Sequence, residues 1–205
     1  MASPTTGPTT GKSASKLRDD LVRVLPHLQL DEHGRAALSG CQDSVDALDR
    51  LERAGLLIEA TRLVAHALPA REAVWWACAC SLHTAASGTD QATEQQVRTA
   101  AEAWVRKPTD EHRRSAMKQA EAAGFGSAEA WAAVGAFWSG DSMAPPEAPK
   151  VPPQPHFTGL AVAGSVALAA ARGPAARRDG RLLQFLISAK DIAAGGAGHL
   201  EVESD

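Results

Sequence analysis

Residues 143–155, MAPPEAPKVPPQP, hold six prolines in thirteen positions. Proline lacks an amide donor and its ring clashes with the preceding helical turn, so no helix runs through this stretch. An extended, semi-rigid strap is expected over 143–156. It separates a helical domain, 16–142, from a C-terminal helical pair, 157–198. About forty residues are too few to hold a stable core alone, so the pair is expected to pack on the main domain, with the strap crossing its surface. Residues 1–15, rich in Pro, Thr, Ser and Gly, and residues 199–205 are expected as disordered tails.

On both sides of the strap the apolar residues keep a helical period. Leu17, Leu21, Val24 and Leu25 do so until Pro26 interrupts them, which predicts a short helix ending there. From Asp43, Val45, Leu48 and Leu51 form one stripe; after Gly55 the stripe resumes through Leu56, Leu57, Ile58, Leu63, Val64 and Leu68, giving a helix pair. Pro69 can open the next helix, with Val74, Cys78, Leu82 and Ala85 as its apolar face and Ser87-Gly88 as its stop. A helix from about Thr93 to Arg106 carries Val97, Ala101, Trp104 and Val105. Thr109 is placed to cap the following helix, Gly124 to end it, and Ser127 to cap one bearing Trp131, Val134 and Trp138. Beyond the strap come a small-residue helix from Phe157 and a helix from about Pro174 to Ala193, with Leu182, Leu183, Leu186 and Ile187 as an apolar cluster. Aromatics make up only 4% of the chain and tyrosine is absent, which suits close helix packing better than a β-sandwich. The expected class is all-α: a bundle of stacked αα-hairpins with a Pro-rich strap leading to a C-terminal helical pair.

A formal charge of −3 supplies no general attraction for nucleic acid or an anionic membrane. The apolar run at 157–171 is shorter than the roughly 20 residues a bilayer requires. Three cysteines, Cys41, Cys78 and Cys80, form an odd set, and the N-terminal residues show no apolar signal-peptide core, so a cytoplasmic protein is expected.

Zinc's preferred ligand types gather at Cys78, Cys80 and His83. On one helix, however, Cys78 and Cys80 stand about 200° apart, and Cys80 with His83 would still need two further ligands, from Cys41, His66 or elsewhere. No metal site or cofactor is expected. Gly195, Gly196 and Gly198 follow a helix instead of preceding one, so they read as a helix stop and not as a phosphate cradle. Arg106, Lys107, Arg113, Arg114 and Lys118, then Arg172, Arg177, Arg178 and Arg181, are interleaved with acids and read as solvated helix faces; an acidic protein partner is the next reading and RNA the last. No catalytic constellation emerges. The conspicuous residues are the tryptophans Trp75, Trp76, Trp104, Trp131 and Trp138, which can fill the core or meet the strap or a partner protein.

The segments AREAVWWACACS (70–81), AEAWVRKPTDEHRRSAMKQAEAAG (101–124), the Pro-rich strap and FLISAKDIAAGG (185–196) resemble an uncharacterised bacterial helical family associated with type VI secretion gene clusters. The resemblance spans about residues 65–198. It implies a cytosolic accessory of a secretion apparatus and brings no catalytic residues with it. The expected function is therefore a non-catalytic adaptor or chaperone-like protein that binds a secretion component or effector. An enzyme or toxin using Cys80 and His83 and a self-associating structural subunit are the alternatives; the oligomeric state is left open.

Overall fold

The computed structural model describes residues 15–17, 20–85 and 91–203. Nearly all of the expected N-terminal tail and the Ser87-Gly88 stop lie outside them. Among the described residues there are ten α-helices and no strand: α1 (Leu21–Val24), α2 (Glu32–Ala37), α3 (Ser44–Arg53), α4 (Leu57–Ala67), α5 (Ala70–His83), α6 (Gln91–Arg106), α7 (Asp110–Ala123), α8 (Ala128–Trp138), α9 (Phe157–Ala171) and α10 (Arg178–Ala193). The all-α class is what the sequence predicts.

Local chemistry sets most of the boundaries. The Asp43 carboxylate accepts from the amides of Val45 and Asp46, the Thr109 hydroxyl from His112 and the Ser127 hydroxyl from Ala130, each satisfying donors that a first turn leaves unpaired. Helices α3, α7 and α10 end alike. Gly55, Gly124 and Gly195 take positive φ, and the amides of Leu56, Phe125 and Gly196 reach back to the carbonyls of Leu51, Ala120 and Asp191. The left-handed residue costs glycine nothing, and the returning bonds satisfy the last carbonyls.

The centre of the molecule is formed by α5, α8 and α9, with α6 and α7 against α8 and with α4 and α10 on the other side. These central helices bury residues on several faces, as helices without a polar face must. Gly135 is the point of closest approach. A methyl group there would stand 3.3 Å from Val162 of α9 and 3.4 Å from Val74 of α5, so the missing side chain is what lets three helices meet. The Ser165 hydroxyl ties α9 to the Ala128 carbonyl at 2.7 Å. Helix α9 thus lies inside the bundle and is not laid on it as half of a separate pair.

A buried charge cluster crosses the same region. Glu129 is fully buried and paired with Arg172, which also donates to the Ser81 carbonyl at 3.0 Å, and Arg98 lies 3.8 Å away. Arg113 is buried under α8, donating to the Phe137 carbonyl at 3.1 Å with its guanidinium 5.1 Å from the Phe137 ring. Arg181 is buried against Glu203. Arg113, Arg172 and Arg181 therefore do not belong to the solvated faces expected from sequence: Arg172 and Arg181 are matched by Glu129 and Glu203, and Arg113 reaches the more exposed carboxylate of Asp110.

Several expected faces differ. Val45 is 41% exposed and Ala47 takes its place on the buried stripe of α3; Leu82 turns outward on α5; Leu183 and Ile187 on α10 are 47% and 67% exposed, while Leu182, Phe185 and Leu186 are buried. Nor is the strap extended throughout. The Met143 amide donates to the Val151 carbonyl at 2.8 Å, the Ser142 hydroxyl accepts from the amides of Ala144 and Val151, and Lys150 pairs with Asp141. Residues 142–151 thus close into a loop, and only 152–155 run on to α9. The segment expected as a C-terminal tail is docked as far as residue 203. Ser188 donates to the Gly198 carbonyl at 2.7 Å, the His83 ring bonds to the Glu201 carbonyl, and the Glu203 amide donates to the His83 carbonyl at 2.8 Å.

Candidate functional site

The five tryptophans have different fates. Trp76 is fully buried, its indole N–H donating to the Phe185 carbonyl at 2.8 Å across the α5–α10 contact. Trp104 is 5% exposed on the inner face of α6. Neither can dock a partner or the strap. Trp131 and Trp138 stand edge to face with ring centres 6.3 Å apart, and Trp138 also meets Phe157 at 5.0 Å. Trp138 is the tryptophan that the strap approaches, across a cavity of about 280 Å³ shared with Pro152, Pro153 and Pro155.

Trp75 is half-buried in the second turn of α5 and lines a groove of about 320 Å³. Its N–H is committed to the Ala197 carbonyl at 2.8 Å, which fixes the indole and leaves the groove beside the ring. Val105 and Ile192 are the other apolar side chains of the lining, and Lys16, Arg71 and Arg106 bring cations to it against the single carboxylate of Glu72. Glu72 is paired with Lys16 at 3.0 Å. The Arg71 Nε donates to the Val105 carbonyl at 2.6 Å, holding that guanidinium at the groove. Periodicity could single out Trp75 but not this lining, because Lys16, Val105 and Ile192 arrive from three other segments.

A second cleft, of about 720 Å³, is lined by Asp20, Arg23, Val24, His27, His66, Pro155 and His156. The His27 ring stacks on His66 at 4.8 Å and on His156 at 4.5 Å. His66 is held well below the ordinary imidazole range, at about 4, first by burial and then by the two neighbouring rings. Burial and His156 lower His27 in the same way. Sequence reading noted only His66, as a possible zinc ligand; the three rings sit on segments with no local spacing in common. Rings stacked face to face direct their nitrogen lone pairs along parallel planes, not toward one point. Among the described residues no group of three His, Cys, Asp or Glu side chains is placed to hold a metal.

Cys80 and His83 do lie on one helix as expected, but Cys80 is fully buried and burial drives its thiol far above the usual range, as it does for Cys78. Cys41 is pushed up to about 11 by burial and a hydrogen bond to Asp46. None of the three is poised as a thiolate. In the folded protein, thiol reagents are expected to modify Cys41 slowly and Cys78 and Cys80 at least about 100-fold more slowly than in urea. Peptide mapping after timed labelling checks this; rapid native labelling of Cys80 would restore the Cys80–His83 enzyme reading.

No helix among the described residues is long and apolar enough to cross a membrane. Comparison with curated proteins and with solved structures returned no match. A family model does match residues 47–193, from within α3 to the end of α10 and across the Pro-rich loop. The chain therefore belongs to that family, described as a family of unknown function (DUF6931).

Proposed function

We propose that this protein is a non-catalytic adaptor or chaperone-like accessory that binds another protein in the bacterial cytoplasm, in the setting its sequence resemblance implies, a type VI secretion apparatus. The Trp75 groove carries the reading. A half-buried indole with apolar neighbours and a polar rim has the composition of a binding hot spot, where a rigid aromatic supplies contact area at little entropic cost. The buried, protonated cysteines favour this reading over thiol catalysis. In a pull-down of the tagged protein from its native host, Trp75→Ala is expected to lose a stoichiometric partner, a spike, sheath or effector protein, while retaining the wild-type helical spectrum. Recovery of the same partner at wild-type yield would move binding away from the groove; recovery of an unrelated housekeeping set would count against the secretion setting.

Self-association is a second reading, favoured by the outer face of α9. Leu160 and Leu168 are exposed there with Ala163, Gly164 and Ala167 between them, and the helix carries no charged residue. Light scattering after size exclusion tests it, with Leu160→Glu expected to dissociate any dimer formed through this face.

A further inference from the structure

Three properties of the Trp75 groove narrow the chemistry of its occupant. The lining carries three cations against one carboxylate; Glu72 is paired with Lys16, so Arg71 and Arg106 are the cations of the lining that no carboxylate of the lining neutralises. Among the described residues Arg71 donates through Nε to the Val105 carbonyl and Arg106 meets Glu102 at 3.5 Å through one guanidinium nitrogen, so each guanidinium keeps further donor nitrogens with which to meet a ligand. Between them the side chains of Trp75, Val105 and Ile192 are apolar and take a side chain, not a charge.

We propose that the groove takes a short acidic segment of a partner protein, one with an aliphatic or aromatic anchor flanked by Asp or Glu. The anchor occupies the space beside the indole. The flanking carboxylates meet Arg71 and Arg106, whose planar guanidinium groups can each engage a carboxylate through two donors. The chain's own first fourteen residues contain no Asp or Glu and so lack this complement. A nucleic acid is the poorer fit: its phosphates recur along an extended backbone and call for a basic track, whereas these cations surround a compact apolar pocket. The inference rests on the protein-binding reading and adds the partner's class to it.

The test is fluorescence anisotropy of the full-length protein with a labelled peptide of alternating Asp and Glu around a central Leu. Its comparison probes are the same peptide with Lys at every acidic position and a single-stranded oligonucleotide of equal charge. The acidic peptide is expected to bind at least about tenfold more tightly than either, and to lose several-fold in affinity between about 50 and about 300 mM salt. Arg106→Glu, an exposed position, is expected to weaken it by about tenfold or more and Trp75→Ala similarly. Lys16→Glu gives a second charge reversal at an exposed residue should Arg106→Glu misfold. Equal binding of the Lys peptide, tighter binding of the oligonucleotide, or affinity unchanged in Arg106→Glu and Lys16→Glu overturns the proposal. The native partner separates the two levels. A partner lost with Trp75→Ala but held normally by folded Arg106→Glu leaves the protein-binding reading standing and removes the acidic class; a partner that Trp75→Ala does not affect removes the groove from both.

Discussion

Replacing Trp76 with alanine is expected to lower the free energy of unfolding by about 4 kcal/mol, against about 1 kcal/mol for Trp75→Ala one position earlier. The contrast follows from helix geometry. Adjacent side chains on a helix project about 100° apart, so α5 sends one indole into the interior and leaves its neighbour at the rim. Trp76 is fully buried, and its removal leaves both a cavity and the Phe185 carbonyl without its donor. A domain of this size has about 5–15 kcal/mol in total, so the Trp76 variant approaches the point at which a sizeable fraction of molecules unfold at 37 °C. Urea unfolding followed by far-UV circular dichroism measures both variants. A loss below about 1.5 kcal/mol for Trp76→Ala would mean that the α5–α10 contact is not the tightly packed junction described above. The same contrast governs binding work: partner loss in Trp76→Ala reports on folding, whereas Trp75→Ala isolates the groove.

What could be read from the sequence follows the range of the interaction responsible. Caps and stops act within a turn, so Thr109, Ser127, Gly55 and Gly124 mark their helix ends correctly. Faces were legible where one side of a helix is polar: Val97, Ala101, Trp104 and Val105 are the buried residues of α6. They were not legible on α5 and α10, which have apolar residues on several sides. There Leu82, Leu183 and Ile187 fit the period as well as their buried neighbours, and only packing against other helices selects among them. The Pro-rich segment illustrates the same limit. Its prolines exclude a helix, but the Ser142 hydroxyl and the Met143–Val151 pairing decide that it closes on itself. The Trp75 groove and the histidine stack assemble from residues far apart in the chain, so no local pattern announced them.

Acidification from about pH 7 to about pH 4.5 is expected to cost the fold about 2 kcal/mol through the histidine stack, beyond whatever its carboxylates contribute. In the folded chain His66 resists protonation until about pH 4, because burial and the rings of His27 and His156 oppose a charge there; unfolded, it takes a proton near 6.5. The sign follows directly. Above pH 6.5 both states hold His66 neutral and its contribution is intact. As the pH falls through that value the unfolded chain binds a proton that the folded chain refuses, so stability declines until about pH 4, where the folded protein protonates too. Solvent in the cleft screens part of the full shift, hence the reduced figure. The charged groups around the stack do not reverse this. Asp20 is paired with Arg23 at 2.7 Å at the cleft, Arg62 donates to the Leu28 carbonyl beside it, Asp141 across the adjoining cavity is paired with Lys150, and α9 brings no charge. His66→Gln removes the titration without adding a charge, so its unfolding free energy should fall less steeply than the wild type's between pH 7 and pH 4.5, whatever its offset at pH 7. His27→Gln takes out the central ring and is expected to flatten the profile partway, because burial, the larger influence on His66, remains. Urea titrations of the three proteins at half-unit pH intervals measure the slopes. Parallel slopes would show that the rings do not stay stacked and neutral in the folded protein, whereas convergence toward low pH would place the acid sensitivity of the fold at the junction of the N-terminal segment, α4 and the start of α9.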